Sequence, residues 1–283
     1  MIGIFDSGLG GLTVLKEIKK QLPDESYIYL GDTLHVPYGN RSDEAVYDLT
    51  RKACDFLFKR GCRLIILACN TATAKALRRL QQEYLPTIST VENNLNILGV
   101  IRPVAEFMAQ KSSGRIGVIG TRGTVNSGAY VVELNNQKES PHYKVSPLNA
   151  GQAFKIEVFQ QETPLLVPLI EEGWADSAEM DSILDKYLQA LKEKAIDTLI
   201  LGCTHYPLLI DKFRLKMSAK CFVPNPGEIV ADSLKAYLVR HPEYSSSESE
   251  SKVEYFVTDL SENFQTLAEQ FLKEKIKINK IEI

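Results

Sequence analysis

The chain alternates short apolar runs with amphipathic stretches. Leu64 to Ala68 is a run of five apolar residues ending at Cys69, and an alanine-rich segment follows with Leu77, Leu80 and Tyr84 at helical spacing. This predicts a buried strand, a tight turn and a helix, with Asn70 or Thr71 as the cap. Leu199 to Leu209 repeats the pattern: an apolar strand runs into Cys203, Thr204 and His205, and Pro207 suits a first helical turn. Ile2 to Phe5 and Tyr27 to Leu30 are further strands, the first leading into a helix with Leu12, Leu15 and Ile18. Helices are predicted over 43–60 and 177–194, and Arg115 to Gly120 echoes Ile2 to Phe5, so the second half begins as the first does. Strands are expected at 221–226 and 253–258, with a closing helix near Phe264 to Leu272. Residues 86–98 read as a connection, 135–165 carry no readable period, and Ser245 to Ser251 reads as a solvated loop.

Strand and helix in alternation give parallel sheets. The expected fold class is α/β, with two similar domains, each a mainly parallel sheet flanked by helices, and an active site in the cleft between them. Such sheets place ligands at the carboxyl ends of their strands. Polar residues collect there: Asp6, Ser7, Asp32, Cys69, Asn70, Thr71, Cys203, Thr204 and His205. A chain of 283 residues has room for two medium domains. Its formal net charge of −3, with both signs mixed, carries no nucleic-acid footprint. The N-terminus M-I-G-I-F-D lacks a signal peptide's basic and apolar regions, and no apolar run approaches the roughly 18 residues of a membrane span, so a cytoplasmic chain is expected. Five cysteines without close C-x-x-C spacing and four scattered histidines predict no metal site, and a disulfide is disfavoured in a cytosolic chain.

A lone cysteine at a strand end is ordinarily packing. Two of them, Cys69 and Cys203, in matching strand-to-helix contexts point to a duplication whose halves face one another. Two thiols on opposite sides of a small ligand suit stereoinversion: one removes a proton from a carbon while the other delivers one to the opposite face. A following helix N-terminus is expected to lower each thiol pKa. Asp6 beside Cys69 would act the other way, as a proton relay, and His205 could play the matching part at Cys203. The loop Asp6-Ser7-Gly8-Leu9-Gly10-Gly11 misses the dinucleotide spacing, and its carboxylate suits an ammonium group better than a phosphate. Its plain alternative is a turn with Asp6 as a helix cap. Tyr38-Gly39 on its own reads as a turn, and Glu171-Glu172 on local grounds as a solvated helix start. No cofactor motif accompanies these residues, so none is expected. A competing enzyme class is a cysteine-nucleophile hydrolase in which one thiol is dispensable.

The blocks I-F-D-S-G-L-G-G-L-T-V, G-D-T-x-x-x-P-Y-G, A-C-N-T-A-T-A and L-G-C-T-H-Y-P-L-L, in this order, resemble the glutamate racemases, cofactor-independent enzymes that make D-glutamate for bacterial peptidoglycan. Y-F-V-T-D from Tyr255 to Asp259 extends the resemblance over most of the chain. It implies that Cys69 and Cys203 are the two acid/base residues, with Asp6, His205 and Glu171 assisting. Asp6, Ser7, Asp32, Tyr38, Gly39, Asn70, Thr71, Thr121, Thr204 and His205 become the substrate-binding candidates, and Glu171 changes from surface residue to auxiliary carboxylate. Related aspartate racemases tend to carry Glu in place of His205, which favours glutamate. The implied division is 1–97 plus 210–283 for the first domain and 98–209 for the second, and the expected assembly is a homodimer. The chain departs from the family pattern at Leu34-His35, where Ala-Arg is common, at Thr163, where Cys is frequent, and in a longer segment at 91–98. Family members also bind and inhibit DNA gyrase, so a partner-binding protein is the alternative of another class.

Overall fold

The computed structural model describes residues 1–137, 156–245 and 251–283. The strands among them are β1 (Ile2–Asp6), β2 (Tyr27–Gly31), β3 (Leu64–Leu67), β4 (Asn96–Gly99), β5 (Arg115–Gly120), β6 (Glu157–Glu162), β7 (Thr198–Gly202), β8 (Val253–Val257) and β9 (Ile278–Lys280). They form a six-stranded sheet, β4-β3-β1-β2-β8-β9, and a three-stranded sheet, β6-β5-β7, with every neighbouring pair parallel. Both sheets are α/β layers, as expected, and they share one topology. β1 lies between β2 and β3 just as β5 lies between β6 and β7. Cys69 follows β3 and Cys203 follows β7, so the two thiols occupy corresponding places in a repeated unit.

Burial explains which strands were legible. Every residue of β1, β2, β3 and β7 is buried, as continuous apolar runs in central parallel strands require. β6 is an edge strand, E-V-F-Q-Q-E, with all six residues half-buried, and it has no apolar run to betray it. The short edge strands β4 and β9 were hidden in the same way. The strand expected at 221–226 shrinks to one bridge between Phe222 and Thr198, because Pro224 and Pro226 lack the N–H a ladder needs. Residues 138–155 of the unread segment, and 246–250 of the expected Ser/Glu loop, lie outside the described residues.

The helices are α1 (Gly11–Gln21), α2 (Asp43–Lys59), α3 (Asn70–Arg79), α4 (Leu85–Ile88), α5 (Ile101–Lys111), α6 (Arg122–Asn126), α7 (Ala129–Gln137), α8 (Leu166–Glu171), α9 (Ala178–Glu193), α10 (Ile210–Lys216), α11 (Pro226–Arg240) and α12 (Glu262–Leu272). Ser42, Ser177 and Ser261 cap α2, α9 and α12 by accepting from the N–H three residues on. The cap expected at Asn70 or Thr71 is instead Cys69, whose Sγ accepts from Ala72 N at 3.4 Å. α1 starts after Gly10, which has no side chain to cap it, and the Asp6 carboxylate accepts from the N–H of Gly11, the first residue of the helix, as the plain turn reading expected. A 3₁₀ turn, Tyr206–Leu209, separates Cys203 from α10.

Helix α9 supplies much of the core on one face of the smaller sheet. α9 lays Met180, Leu184, Leu188 and Leu191 into a core shared with Leu199, Leu201 and Phe213. Phe213 of α10, with Cys221 and Val223, belongs to this core rather than to that of the larger sheet. We predict that Leu188→Ala, at a fully buried position, destabilises the protein by about 2–5 kcal/mol. Urea unfolding followed by circular dichroism would check this.

Candidate active site

Parallel strands send all their carboxyl ends to one edge, and the corresponding edges of the two sheets meet around a single cleft of about 250 Å³. The larger sheet contributes Ser7 and Gly8 after β1, Val36 to Asn40 after β2, and Cys69 to Thr71 after β3. The smaller sheet contributes Thr121 and Arg122 after β5, Thr163, Pro164, Glu171 and Glu172 after β6, and Cys203 to His205 after β7. Of the residues expected from sequence, Cys69, Cys203, His205, Glu171, Ser7, Tyr38, Gly39, Asn70, Thr71, Thr121 and Thr204 all line it. Asp6 and Asp32 do not: both are fully buried, one layer behind the wall.

Each thiol has its own partners. Cys69 Sγ lies 3.4 Å from Ser7 Oγ and 3.4 Å from Ala72 N. Burial, and next the nearby Asp6 carboxylate, push its pKa up to about 12, against the two hydrogen bonds. The expected lowering by the helix N-terminus is therefore overturned, because desolvation of the thiolate outweighs one amide and a hydroxyl. Behind it, Asp6 Oδ2 accepts from Gly8 N at 2.9 Å and Oδ1 from Thr204 Oγ1 at 3.2 Å. Burial raises the Asp6 pKa, and the charge of His205 opposes that rise.

At the second thiol, His205 Nδ1 stands 3.8 Å from Cys203 Sγ, while its Nε2 is 2.9 Å from Glu171 Oε1. Burial alone would lower the imidazole, but its hydrogen bonds with Cys203 and Glu171 outweigh burial and hold its pKa at about 10. Glu171 closes α8, so it stands at a helix end rather than at the solvated helix start that local sequence implied.

Asp32 organises the rim. It accepts from Tyr38 Oη at 2.6 Å and Thr258 Oγ1 at 2.7 Å, and its Oδ1 lies 2.8 Å from His35 Nδ1. His35, one of the departures from the family pattern, thus supports the carboxylate that fixes Tyr38. At another departure, the Thr163 hydroxyl reaches Gly120 O at 3.1 Å and also meets Tyr206 Oη.

Contacts between the halves hold the two thiols to one cavity. Thr71 Oγ1 meets Thr121 Oγ1 at 2.9 Å, Thr13 Oγ1 donates to Thr204 O at 2.8 Å, and Tyr130 Oη donates to Asn70 Oδ1 at 2.8 Å. At Gly10 a Cβ would overlap Thr204 Oγ1 and His205 Nδ1, so only glycine lets the first loop approach the second cysteine turn. Sequence reasoning passed over Thr13, Arg122 and Tyr130. The glycines of the first loop suggest close approach to a ligand; at Gly10 the partner is instead the opposite half of the chain. Thr13, Arg122 and Tyr130 carry no local signal. Among the described residues, no group of three or more His, Cys, Asp and Glu side chains is placed to hold a metal ion.

The sequence matches the Asp/Glu/Hydantoin racemase family over residues 2–231. It is 40% identical over 284 residues to a glutamate racemase from Geobacter metallireducens, covering 97% of this chain and 93% of the relative. A glutamate racemase from Aquifex aeolicus is 38% identical, with 98% and 95% covered. Among solved structures, a glutamate racemase isoform from Bacillus anthracis superposes with a TM-score of 0.87 at 32% identity, covering 100% of this chain and 97% of that one. The Francisella tularensis glutamate racemase, solved with D-glutamate, gives 0.83 at 28% identity, with 99% and 97% covered.

Since Asp6 is the second cause of the raised Cys69 pKa, Asp6→Asn should lower that pKa and increase the thiolate fraction at any given pH. At pH 8, alkylation of Cys69 by iodoacetamide should accelerate by about 3- to 10-fold, the scale of losing one neighbouring charge. Peptide mass spectrometry, resolving Cys69 from Cys203, reads the rates; an unchanged Cys69 rate would contradict the assignment.

Proposed function

As the chain belongs to the Asp/Glu/hydantoin racemase family, we propose that it interconverts L-glutamate and D-glutamate through two thiols, Cys69 and Cys203, on opposite faces of the α-carbon. Glutamate racemisation, an isomerase activity that supplies D-glutamate for peptidoglycan, follows from near-full-length relatives named for it. The observation that carries the two-thiol reading is the single cleft lined by both sulfurs.

In one direction a thiolate takes the α-proton, and the thiol of the other cysteine protonates the opposite face of the carbanion. Asp6, behind Cys69, and the His205–Glu171 pair, beside Cys203, relay protons to and from the sulfurs. General acid/base steps are each worth roughly 10²- to 10⁴-fold, so the developing carbanion needs further stabilisation. Asn70, Thr71 and Thr204, with the N-terminus of α3, supply donors for the α-carboxylate. Ser7, Tyr38, Gly39 and Thr121 complete the substrate contacts, and Asp32 acts through Tyr38.

The domain division expected from the sequence, 1–97 with 210–283 and 98–209, is proposed with both crossings moved, to about 100 and 225, because β4 runs to Gly99 in the larger sheet and Phe213, Cys221 and Val223 pack in the core of the smaller one. A homodimer is proposed as well, supported by the exposed Leu34, Leu165 and Trp174 on segments that form the cleft. A cytoplasmic location fits the composition, and no helix among the described residues is long and apolar enough to cross a membrane.

Incubation with L-glutamate in D₂O without added cofactor should give loss of optical rotation together with loss of the α-proton signal. Cys69→Ser and Cys203→Ser should each slow this by at least about 10²-fold, and near-normal activity in either refutes two-thiol catalysis. An inactive wild-type protein would favour the partner-binding alternative. A pH profile tests the second relay. Because Glu171 helps raise the His205 pKa to about 10, Glu171→Gln should lower it. The alkaline limb of kcat/KM, where His205 loses its proton, should then move to lower pH.

A further inference from the structure

Tyr130 has no part in the chemistry described so far, yet it touches both cysteine turns. It lies on α7 and is buried where the two halves meet. Its ring packs over Gly202, the residue before Cys203, where a Cβ would stand 3.1 Å from the ring edge. Its hydroxyl crosses to the other half and donates to Asn70 Oδ1 at 2.8 Å, one residue after Cys69. Among the described residues this is the only hydrogen bond of the phenol.

The consequence falls on Asn70, which lines the cleft. A side-chain amide has one acceptor end and one donor end. The Tyr130 O–H occupies the acceptor end, and Asn70 Nδ2 has no protein partner among the described residues. Rotating the amide by half a turn would leave the buried phenolic O–H without an acceptor, which is unfavourable. Burial, and next the nearby Cys203 sulfur, push the phenol pKa upward, so the O–H stays a donor across the working pH range.

We propose that Tyr130 is a positioning residue that locks the Asn70 amide with its N–H groups toward the cleft, selecting a carboxylate over a carboxamide next to the stereocentre. A carboxylate offers only acceptors and meets these N–H groups; a carboxamide turns its own N–H groups on them unless it reorients. The selectivity rests on reading the cleft as the glutamate site.

The test is Tyr130→Phe, which keeps the ring over Gly202 and removes the hydroxyl. KM for both enantiomers should rise about 3- to 10-fold, the scale of one net hydrogen bond, with kcat changed less. The preference for glutamate over its α-carboxamide, measured as a competitive ligand, should fall by a similar factor. In an Asn70→Ala background the same substitution should alter neither quantity, because its effect passes through Asn70. Unchanged selectivity in Tyr130→Phe, or an equal effect in the Asn70→Ala background, overturns the proposal. If Tyr130→Phe does not fold, Asn70→Asp carries the test: it keeps an acceptor for the phenol and removes the donors, and native-strength glutamate binding by this variant would refute the assignment. Failure of the wild-type protein to racemise glutamate would strike the reading of the site instead, so the two failures are distinguishable.

Discussion

A thiol taken out of water holds its proton, and burial is the largest cause of the Cys69 pKa of about 12, ahead of the Asp6 carboxylate. A site that must move protons through sulfur needs groups that can hand protons on without bulk water. The structure places a different group behind each thiol: a buried carboxyl, Asp6, on one side and an imidazole paired with Glu171 on the other. Neither faces solvent freely, since Asp6 is fully buried and His205 nearly so. The cleft is small, and its chemistry is set by the order of these groups in depth rather than by any one of them.

Topology supplies the opposition of the thiols. A single parallel sheet offers one row of strand ends, and side chains at neighbouring ends point the same general way. Two copies of the β2-β1-β3 arrangement, facing edge to edge, put corresponding cysteines against one space from two directions. The approach has to be close, which is why contacts between the halves run through small residues. Gly10 meets the Thr204-His205 turn, and a Cβ at Gly39 would stand only 2.9 Å from the Thr121 Cβ. At these positions a side chain of one half occupies the space that a Cβ of the other would need.

The repeated cysteine turns were legible because central parallel strands are buried on both faces and read as unbroken apolar runs. Leu64–Leu67 and Thr198–Gly202 announce themselves, and so do the thiols that follow. The direction of the Cys69 pKa was not legible. A helix N-terminus can be read from sequence, but the degree of burial that outweighs it depends on contacts such as those with Ser7 and Asp6, which tertiary structure alone supplies. Edge strand β6 stayed hidden for the complementary reason: half-buried positions tolerate Glu and Gln, and the alternation that marks a strand is lost. The depth of Asp6 and Asp32 was misplaced as well. A carboxylate at a strand's end looks like a ligand contact, yet both turn their oxygens to protein donors and act through the side chains in front of them.

Asp6 and His205 are coupled in a way that suits the proposed reaction. The charge on His205 lowers the Asp6 pKa, opposing the effect of burial. When His205 gives up its proton, that support is lost and Asp6 holds a proton more readily. A protonated Asp6 no longer repels a thiolate at Cys69, whose pKa then falls. A proton lost beside Cys203 therefore favours a proton gained behind Cys69, and the reverse holds equally. In the proposed reaction one sulfur takes a proton from one face of the substrate while the other gives a different proton to the opposite face, leaving the two sulfurs with exchanged states. Coupling of this sign keeps the total number of protons in the site nearly constant while letting their positions exchange, which is the condition for the same cleft to serve both enantiomers.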